Sequence, residues 1–325
     1  MERSVVAILI TYNSERYLER CLEGLRSQSL QPREIVVIDN ASEDDSVAIV
    51  ERALPSARVI HNRTNTGFSA AVNQGVALTE SDYVLLVNPD LYLTSHYLRL
   101  VVEATEIAGD DYGAATGKLL RGSGPSIAPN GLVDSKGIRM TRSGRHLDIA
   151  GGEPDSDGGE LVTEVFGVSG AGALYRRRFL ADVAIGGEIF DESFFAYRED
   201  ADLAWRGRLF GWSALYVPQA VGHHVRQVTP EVRRKLPPSL NYHSVKNRFL
   251  LRLKNQGVFL AMRNAPFEMW RDVMILVATL TVERTSLPAW RWLWQHRSEI
   301  AQKRRVIQKR RKVNDRELSR WFSGS

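Results

Sequence analysis

The chain has one cysteine in 325 residues. A single thiol excludes a disulfide framework. Cys21 sits among Leu18, Leu22 and Leu25 at helical spacing, which reads as a core thiol rather than a nucleophile. No apolar run reaches 18 residues, so no transmembrane helix is expected. The start MERSVVAILITYN has one basic residue before a short apolar stretch and no small-residue cleavage site. It does not read as a signal peptide. No Gly-x-Gly-x-x-Gly follows the first apolar run, and no Walker A sequence occurs. That counts against a dinucleotide oxidoreductase and a P-loop NTPase. Internal repeats and nucleophilic triads are also missing.

What is present is an ordinary globular balance, 43% hydrophobic and 25% charged, long enough for a large core. The net charge of +5 is unevenly distributed. Residues 1–225 carry −10 and residues 226–325 carry +15. A basic appendage on an acidic core points to phosphate-rich partners.

Hydrophobic period organises the first third. Residues 4–11, 34–40, 57–62 and 82–88 are short apolar runs of strand length. Residues 14–28, 43–53 and 67–78 read as helices, with Ser42 as N-cap of the second. Strands alternating with helices predict βαβ units, a mainly parallel sheet, and ligands at the carboxyl ends of its strands. Polar residues fall at those ends: Thr11, Tyr12 and Asn13, then Asp39 and Asn40, then Asn88 and Asp90. The last set is Asn-Pro-Asp, directly after Leu85, Leu86 and Val87. It is either a plain turn or a presentation of Asp90 to a metal and a phosphate.

Beyond residue 118 regularity weakens. Residues 121–131 and 151–159 are rich in Gly, Pro and Ser and are expected as mobile loops. Residues 167–180 predict a strand leading into a helix, residues 212–218 another strand, and the chain from about 239 is expected to be helical. Glu199, Asp200 and Asp202 stand at a helix start, where the dipole favours carboxylates. Phe194, Phe195, Tyr197 and Trp205 surround them. Partly desolvated carboxylates are stronger proton acceptors, so a dipole role and a catalytic role both fit.

Six stretches taken in order resemble the family 2 glycosyltransferases of the GT-A fold, most closely a rhamnosyltransferase-like branch of bacterial surface-polysaccharide synthesis. They are ILITYNSERYLERCLEGLRSQ, EIVVIDNASEDDS, NTGFSAAVNQG, LLVNPD, FDESFFAYREDADLAWRGRLFGW and HHVRQVT. The resemblance implies an α/β GT-A core over residues 1–235 and a basic helical extension over 236–325. It implies a nucleotide-sugar pocket of Thr11, Tyr12, Asn13, Asp39, Asn65, Gly67, Asn73, Asn88 and Arg206. Within it, Asp39 would accept from the N3–H of a pyrimidine. The family's Asp-x-Asp metal motif is here Asn-Pro-Asp, which leaves Asp90 as the main ligand of Mg²⁺ or Mn²⁺. His224 would complete the metal or diphosphate site, with His223 as the alternative register. Asp200 falls where the family keeps its base.

The implied activity is inverting transfer of a sugar to a hydroxyl of a lipid-linked or growing cell-surface glycan. The leading donor is dTDP-L-rhamnose; UDP-galactofuranose, another UDP-hexose or a GDP-sugar are the alternatives. A sugar-phosphate nucleotidyltransferase would want a basic Gly-rich loop after the first strand, which TYNSERYLE does not supply. A non-catalytic carbohydrate-binding protein is the third reading, against which Asp90, Asp200 and Arg206 speak.

The basic end combines amphipathic, Trp-bearing segments (269–282 and 287–297) with seven Lys/Arg in residues 302–312. This resembles an interfacial membrane anchor. A homo-oligomer contact and a solvated tail are the other readings; no nucleic-acid module accompanies the charge. The expected location is cytoplasmic, peripheral at the inner face of the cytoplasmic membrane.

Overall fold

A computed structural model describes residues 3–156, 158–226 and 238–324. The expected domain boundary at 235/236 and residues 227–229 of the last motif lie outside the described residues. The first half runs β1 Val5–Thr11, α1 Glu15–Arg26, β2 Glu34–Asp39, α2 Ser46–Ala53, β3 Arg58–His61, α3 Phe68–Ala77, β4 Tyr83–Val87, β5 Leu91–Leu93 and α4 Tyr97–Ala108. It continues with β6 Tyr112–Ser123, β7 Ala128–Ser135, β8 Ile138–Met140, β9 His146–Asp148, β10 Thr163–Val165, β11 Gly172–Arg176, α5 Arg177–Val183, α6 Glu199–Leu209 and β12 Ser213–His224. Among the described residues helices then follow without further strands: α7 Pro238–Asn255, α8 Val258–Thr281, α9 Leu287–Gln295, α10 Arg297–Arg310 and the short α11 Asp315–Leu318.

One large sheet has the order β10-β12-β6-β11-β4-β1-β2-β3. The β4-β1-β2-β3 half is parallel, as the alternating periods predict. Beyond β4 the sheet is mixed: β11 is antiparallel to both β4 and β6, while β12 is parallel to β6. Residues 121–131 are not a plain loop. They hold the end of β6, the start of β7 and the turn between them.

Alternation along β1 separates two cores. Val6, Ile8 and Ile10 pack on one face of the sheet, and Val5, Ala7 and Leu9 on the other. The second face is closed by α1 and α4 through Leu18, Cys21, Leu22, Leu98 and Val101. Burial pushes the Cys21 thiol up, so it is inert packing, as its spacing suggests. The first core also contains Leu250, Leu260, Leu293, Ile300 and Phe322. The C-terminal helices thus share the core of the sheet. Part of their basic charge is internal too. Lys254 pairs with Asp191 and Asp202, and Lys303 with Asp191 at 2.8 Å.

Candidate active site

Strand ends place the first group. Thr11 and Asp39 are register partners at the carboxyl ends of β1 and β2. Both are buried, and the Thr11 hydroxyl has no protein partner. Asp39 accepts from the Ser42 N–H at 3.2 Å. Ser42 does not cap α2, which begins at Ser46; its hydroxyl accepts from the Asn13 N–H at 3.0 Å. Asn13 has a positive φ of 49° and its side chain accepts from the Glu43 N–H at 2.8 Å. The two loops brace each other, and Tyr12 is left half exposed above them.

The 65–75 stretch closes the side of this cleft. Asn65 accepts from the Gly67 N–H at 2.9 Å, and Asn40 donates to the Gly67 carbonyl at 3.2 Å. Gly67 has φ 86°, and a Cβ there would stand 2.5 Å from the Phe195 ring. Only glycine fits, because conformation and space both forbid a side chain. Asn73 reaches the 190s loop rather than the cleft, bonding Phe190 in both directions at 2.8 and 2.9 Å.

The Asn-Pro-Asp corner is a reversal with a purpose. After β4 the Asn88 N–H bonds the Ala171 carbonyl at 2.9 Å, and the Leu91 N–H closes back on Asn88. The chain then forms β5, antiparallel to the end of β12, with Leu91 opposite His224. Asp90 Oδ1 comes to 3.3 Å from His224 Nε2. His223 points to the other face, against the Tyr92 ring. Strand alternation therefore selects His224 over His223 as the partner of Asp90.

Behind His224 lies a buried chain of charges. Its Nδ1 bonds Asp134 at 2.8 Å; Asp134 pairs with Arg226 at 2.8 Å, and Arg226 with Asp148 at 2.7 Å. Burial alone would lower the His224 pKa, but Asp90 and Asp134 overcome it and push it up to about 10. The same Nε2 can hold a proton or a metal ion, not both. A carboxylate and an imidazole facing each other, with a second carboxylate fixing the ring, is a donor set that suits a divalent cation. Among the described residues no group of three or more acidic, His or Cys side chains is placed to hold a metal ion. The remaining ligands would be diphosphate oxygens and water, which suits Mg²⁺ or Mn²⁺.

Asp200 joins this group through one dipeptide. Ala171 holds Asn88, and the neighbouring Gly170 N–H bonds Asp200 Oδ2 at 3.3 Å. Burial raises the Asp200 pKa to about 6, opposed by the N–H groups of Ala201 and Gly170 and helped by Asp148. Glu199 is pushed to about 8 by burial and by Asp200 beside it. Of the two neighbouring carboxyls, Asp200 is the more acidic. Asp202 is different: it is fully buried and held by Arg206, Lys254 and Asn255. Arg206 corrects the sequence expectation. It is 1% exposed, salt-bridged to Asp202 at 2.9 Å and bonded to the Val183 and Ile189 carbonyls, so it braces the core and does not face the nucleotide cleft. Its position four residues after Asp202 on α6 makes that pair a local one.

The approach to Asp200 is strained. Phe195, Tyr197 and Arg198 all have positive φ, between 66° and 73°. Such backbone persists only where surroundings over-determine it. Here the Asn247 amide of α7 donates to the carbonyls of Phe194, Ala196 and Tyr197 at 2.8–2.9 Å. Asp134, Gly170 and Asn247 carry no local sequence signal; each becomes visible only through a partner 30 or more positions away.

Residues 6–127 match the family model described as Glycosyl transferase family 2. Among curated proteins of Bacillus subtilis strain 168, EpsH is 30% identical over 131 residues, covering 37% of this chain and 38% of EpsH. EpsE is 24% identical over 277 residues, covering 74% of this chain and 92% of EpsE; the names of both call them glycosyltransferases. This chain therefore spans well under half of EpsH's length. Among solved structures, GalNAc-T7 with UDP, GalNAc and Mn²⁺ superposes with TM-score 0.60 at 14% identity, covering 78% of this chain and 48% of that one. The Staphylococcus aureus TarS 1–349 complex with UDP-GlcNAc gives TM-score 0.52 at 18% identity, covering 94% and 90%. These two show a shared fold. The matched segment holds the strand ends that present Thr11, Asp39 and Asp90, and it is this part of the chain that is similar to the family 2 glycosyltransferases.

Proposed function

We propose that this protein is a metal-dependent, inverting glycosyltransferase. It moves a sugar from a pyrimidine nucleotide-sugar to a hydroxyl of a lipid-linked or growing cell-surface glycan. The best single donor is dTDP-L-rhamnose; UDP-galactofuranose and other UDP-hexoses are the alternatives, and relatives of this fold were crystallised with UDP or UDP-GlcNAc. The setting is the inner face of the cytoplasmic membrane, with the basic C-terminal region toward the lipid. A teichoic acid polymerase of Staphylococcus epidermidis, 26% identical over 103 residues, is in keeping with a cell-surface product.

The observation that carries this reading is the Gly170–Ala171 dipeptide, which ties the Asp90 corner and the Asp200 carboxylate to one point of the sheet. Thr11 and Asp39 receive the nucleoside, Asp39 accepting the N3–H that uracil and thymine share. Asp90 and His224 would hold a divalent cation, which when bound supplies charge stabilisation to the leaving diphosphate. Asp200 takes the proton of the acceptor hydroxyl as that oxygen bonds to the anomeric carbon from the face opposite the diphosphate. The bond to the diphosphate oxygen breaks with its electron pair, and one displacement inverts the anomeric centre. The transition state is oxocarbenium-like, as in glycoside hydrolysis.

The test is a thermal-shift panel of nucleotide-sugars with and without Mn²⁺. The true donor raises the melting temperature by mass action, and Mn²⁺ enlarges the rise. No rise with any dTDP- or UDP-sugar, against a clear one with a purine nucleotide-sugar, overturns the pyrimidine assignment.

A further inference from the structure

We propose that the outward face of α8 is a membrane seat, lying along the headgroup–acyl boundary of a bilayer that carries anionic lipids. The helix is inverted relative to a solvated one. Every exposed position from Val258 to Leu280 is apolar. Met262, Met269, Trp270, Val273, Val277 and Leu280 are each more than half exposed. The stretch from Met262 to Leu280 is about 27 Å long at 1.5 Å per residue. The polar side turns into the protein. Glu268 accepts from Gln256 at 2.7 Å and pairs with Arg252 at 3.3 Å; Asp272 pairs with Arg252 and Arg248; Arg263 bonds the Ser319 carbonyl at 2.8 Å. A surface helix in water buries its apolar stripe and exposes its charges. An unbroken apolar face of this length marks a surface that something covers.

Three observations select lipid as the cover. The exposed face offers almost no side-chain hydrogen-bonding group, whereas protein interfaces carry about one hydrogen bond per 100–200 Å². The region is strongly basic, net +15 over residues 226–325. Exposed Arg284, Arg291 and Arg297 follow directly after α8, and Arg297 lies 4.4 Å over the exposed Trp294 ring. Trp and Arg together suit the headgroup level of an anionic leaflet. A second copy on the same face would set the exposed Arg284, Arg291 and Arg297 against a like-charged surface, because a two-fold contact pairs each surface with its like. Among the described residues no helix is long and apolar enough to cross a membrane, so α8 lies on the bilayer rather than through it.

The seat is joined to the chemistry by α7. One side of α7 holds α8 through Arg248, Arg252 and Gln256; the same helix carries Asn247, which clamps the loop leading to Asp200. This deepens the lipid-linked part of the proposed function and rests on that reading for the acceptor only.

The experiment is flotation of the full chain with phosphatidylcholine vesicles, with and without phosphatidylglycerol, for the wild type and the Val273→Glu/Val277→Glu double variant. Circular dichroism, light scattering and UDP binding by calorimetry accompany it. The wild type floats with the phosphatidylglycerol vesicles, and the double variant loses at least about tenfold in binding, as expected from removing two buried valines. Its fold and UDP affinity stay unchanged. The proposal is overturned if the wild type floats with neither vesicle, if both proteins float equally, or if the wild type is a dimer that the double variant splits. Flotation without any nucleotide-sugar binding would sink the glycosyltransferase reading and leave the seat standing.

Discussion

Asp90 Oδ1 stands 3.3 Å from His224 Nε2, and the other nitrogen of that ring is bonded to Asp134 at 2.8 Å. In the proposed function the two are a ligand pair with Asp134 as positioning carboxylate. Asp134→Asn should weaken Mn²⁺ binding by ~10–100-fold, the cost seen for lost outer-shell partners. Excess Mn²⁺ should restore its transfer rate. Asp90→Ala should lose transfer that no excess of metal restores. Calorimetric Mn²⁺ titration and transfer assays measure both, and full activity in EDTA would end the metal assignment.

The acidic cluster on α6 divides by burial. Asp200→Asn keeps the shape but takes no proton, and should lower single-turnover transfer by ~10²–10⁴-fold with donor affinity intact. Asp202→Asn should act on stability instead. It weakens the partner of buried Arg206 and Lys254, and breaking a buried pair outright costs about 3–5 kcal/mol. Denaturant melts and single-turnover assays on both variants separate the two. Transfer by Asp200→Asn at the wild-type rate would place the base elsewhere.

Acidity should read out Asp200 twice. Its pKa is raised to about 6 by burial, so kcat/KM should fall about tenfold per pH unit below that value and level off above it. The stability sign is opposite. A carboxylate whose folded pKa is raised contributes stability below its unfolded pKa and loses it as pH rises through the folded value. Asp200→Asn should therefore melt higher than the wild type at pH 8, with the advantage shrinking toward pH 4. A variant that is dead yet more stable is hard to explain by misfolding.

Nucleobase choice should depend on Asp39. Asp39→Ala should weaken UDP and dTDP binding far more than it changes the maximal rate, because the contact is made equally in ground and transition states. Competition binding with UDP, dTDP, GDP and ADP tests this. Unchanged preference among the four would remove Asp39 from the base pocket.

Asn247 should matter at a distance. One amide holds three carbonyls of a backbone with positive φ at Phe195, Tyr197 and Arg198. Asn247→Leu removes the Asn247 donor from the Ala196 and Tyr197 carbonyls, at roughly 1–3 kcal/mol for a buried group left unpaired, while the Phe194 carbonyl keeps the Ala196 N–H at 2.8 Å. The loop should relax and the transfer rate fall with UDP affinity kept. A lower melting temperature with an unchanged rate would make Asn247 purely structural.

Much of the first third of the fold was legible because its information is local. Strand period in β1, β2 and β4 sorts residues to the two cores, and turn residues must follow where each strand leaves the sheet. Thr11, Asp39 and Asp90 were therefore visible as strand-end groups before any partner was known. Arg206 was misread for a physical reason. A basic residue near three acids looks like a phosphate contact, and sequence cannot say that Asp202 and Arg206 are both turned into the core. The mobile loop expected over residues 121–131 missed the end of β6 and the start of β7, since Gly- and Pro-rich strand ends lose the period-2 signal.

The sequence by itself determined where the apolar strands run, where polar residues interrupt them, and that α8 has two unlike sides. Tertiary structure alone decided that His224 rather than His223 meets Asp90, that Asp134 stands behind it from 90 positions away, and that one dipeptide holds Asn88 and Asp200 together. It also decided that the apolar side of α8 faces outward. The reason is common to all four. Periodicity and turn chemistry act over a few residues, whereas ring orientation, charge pairing and the choice of outward face depend on what distant segments pack against them.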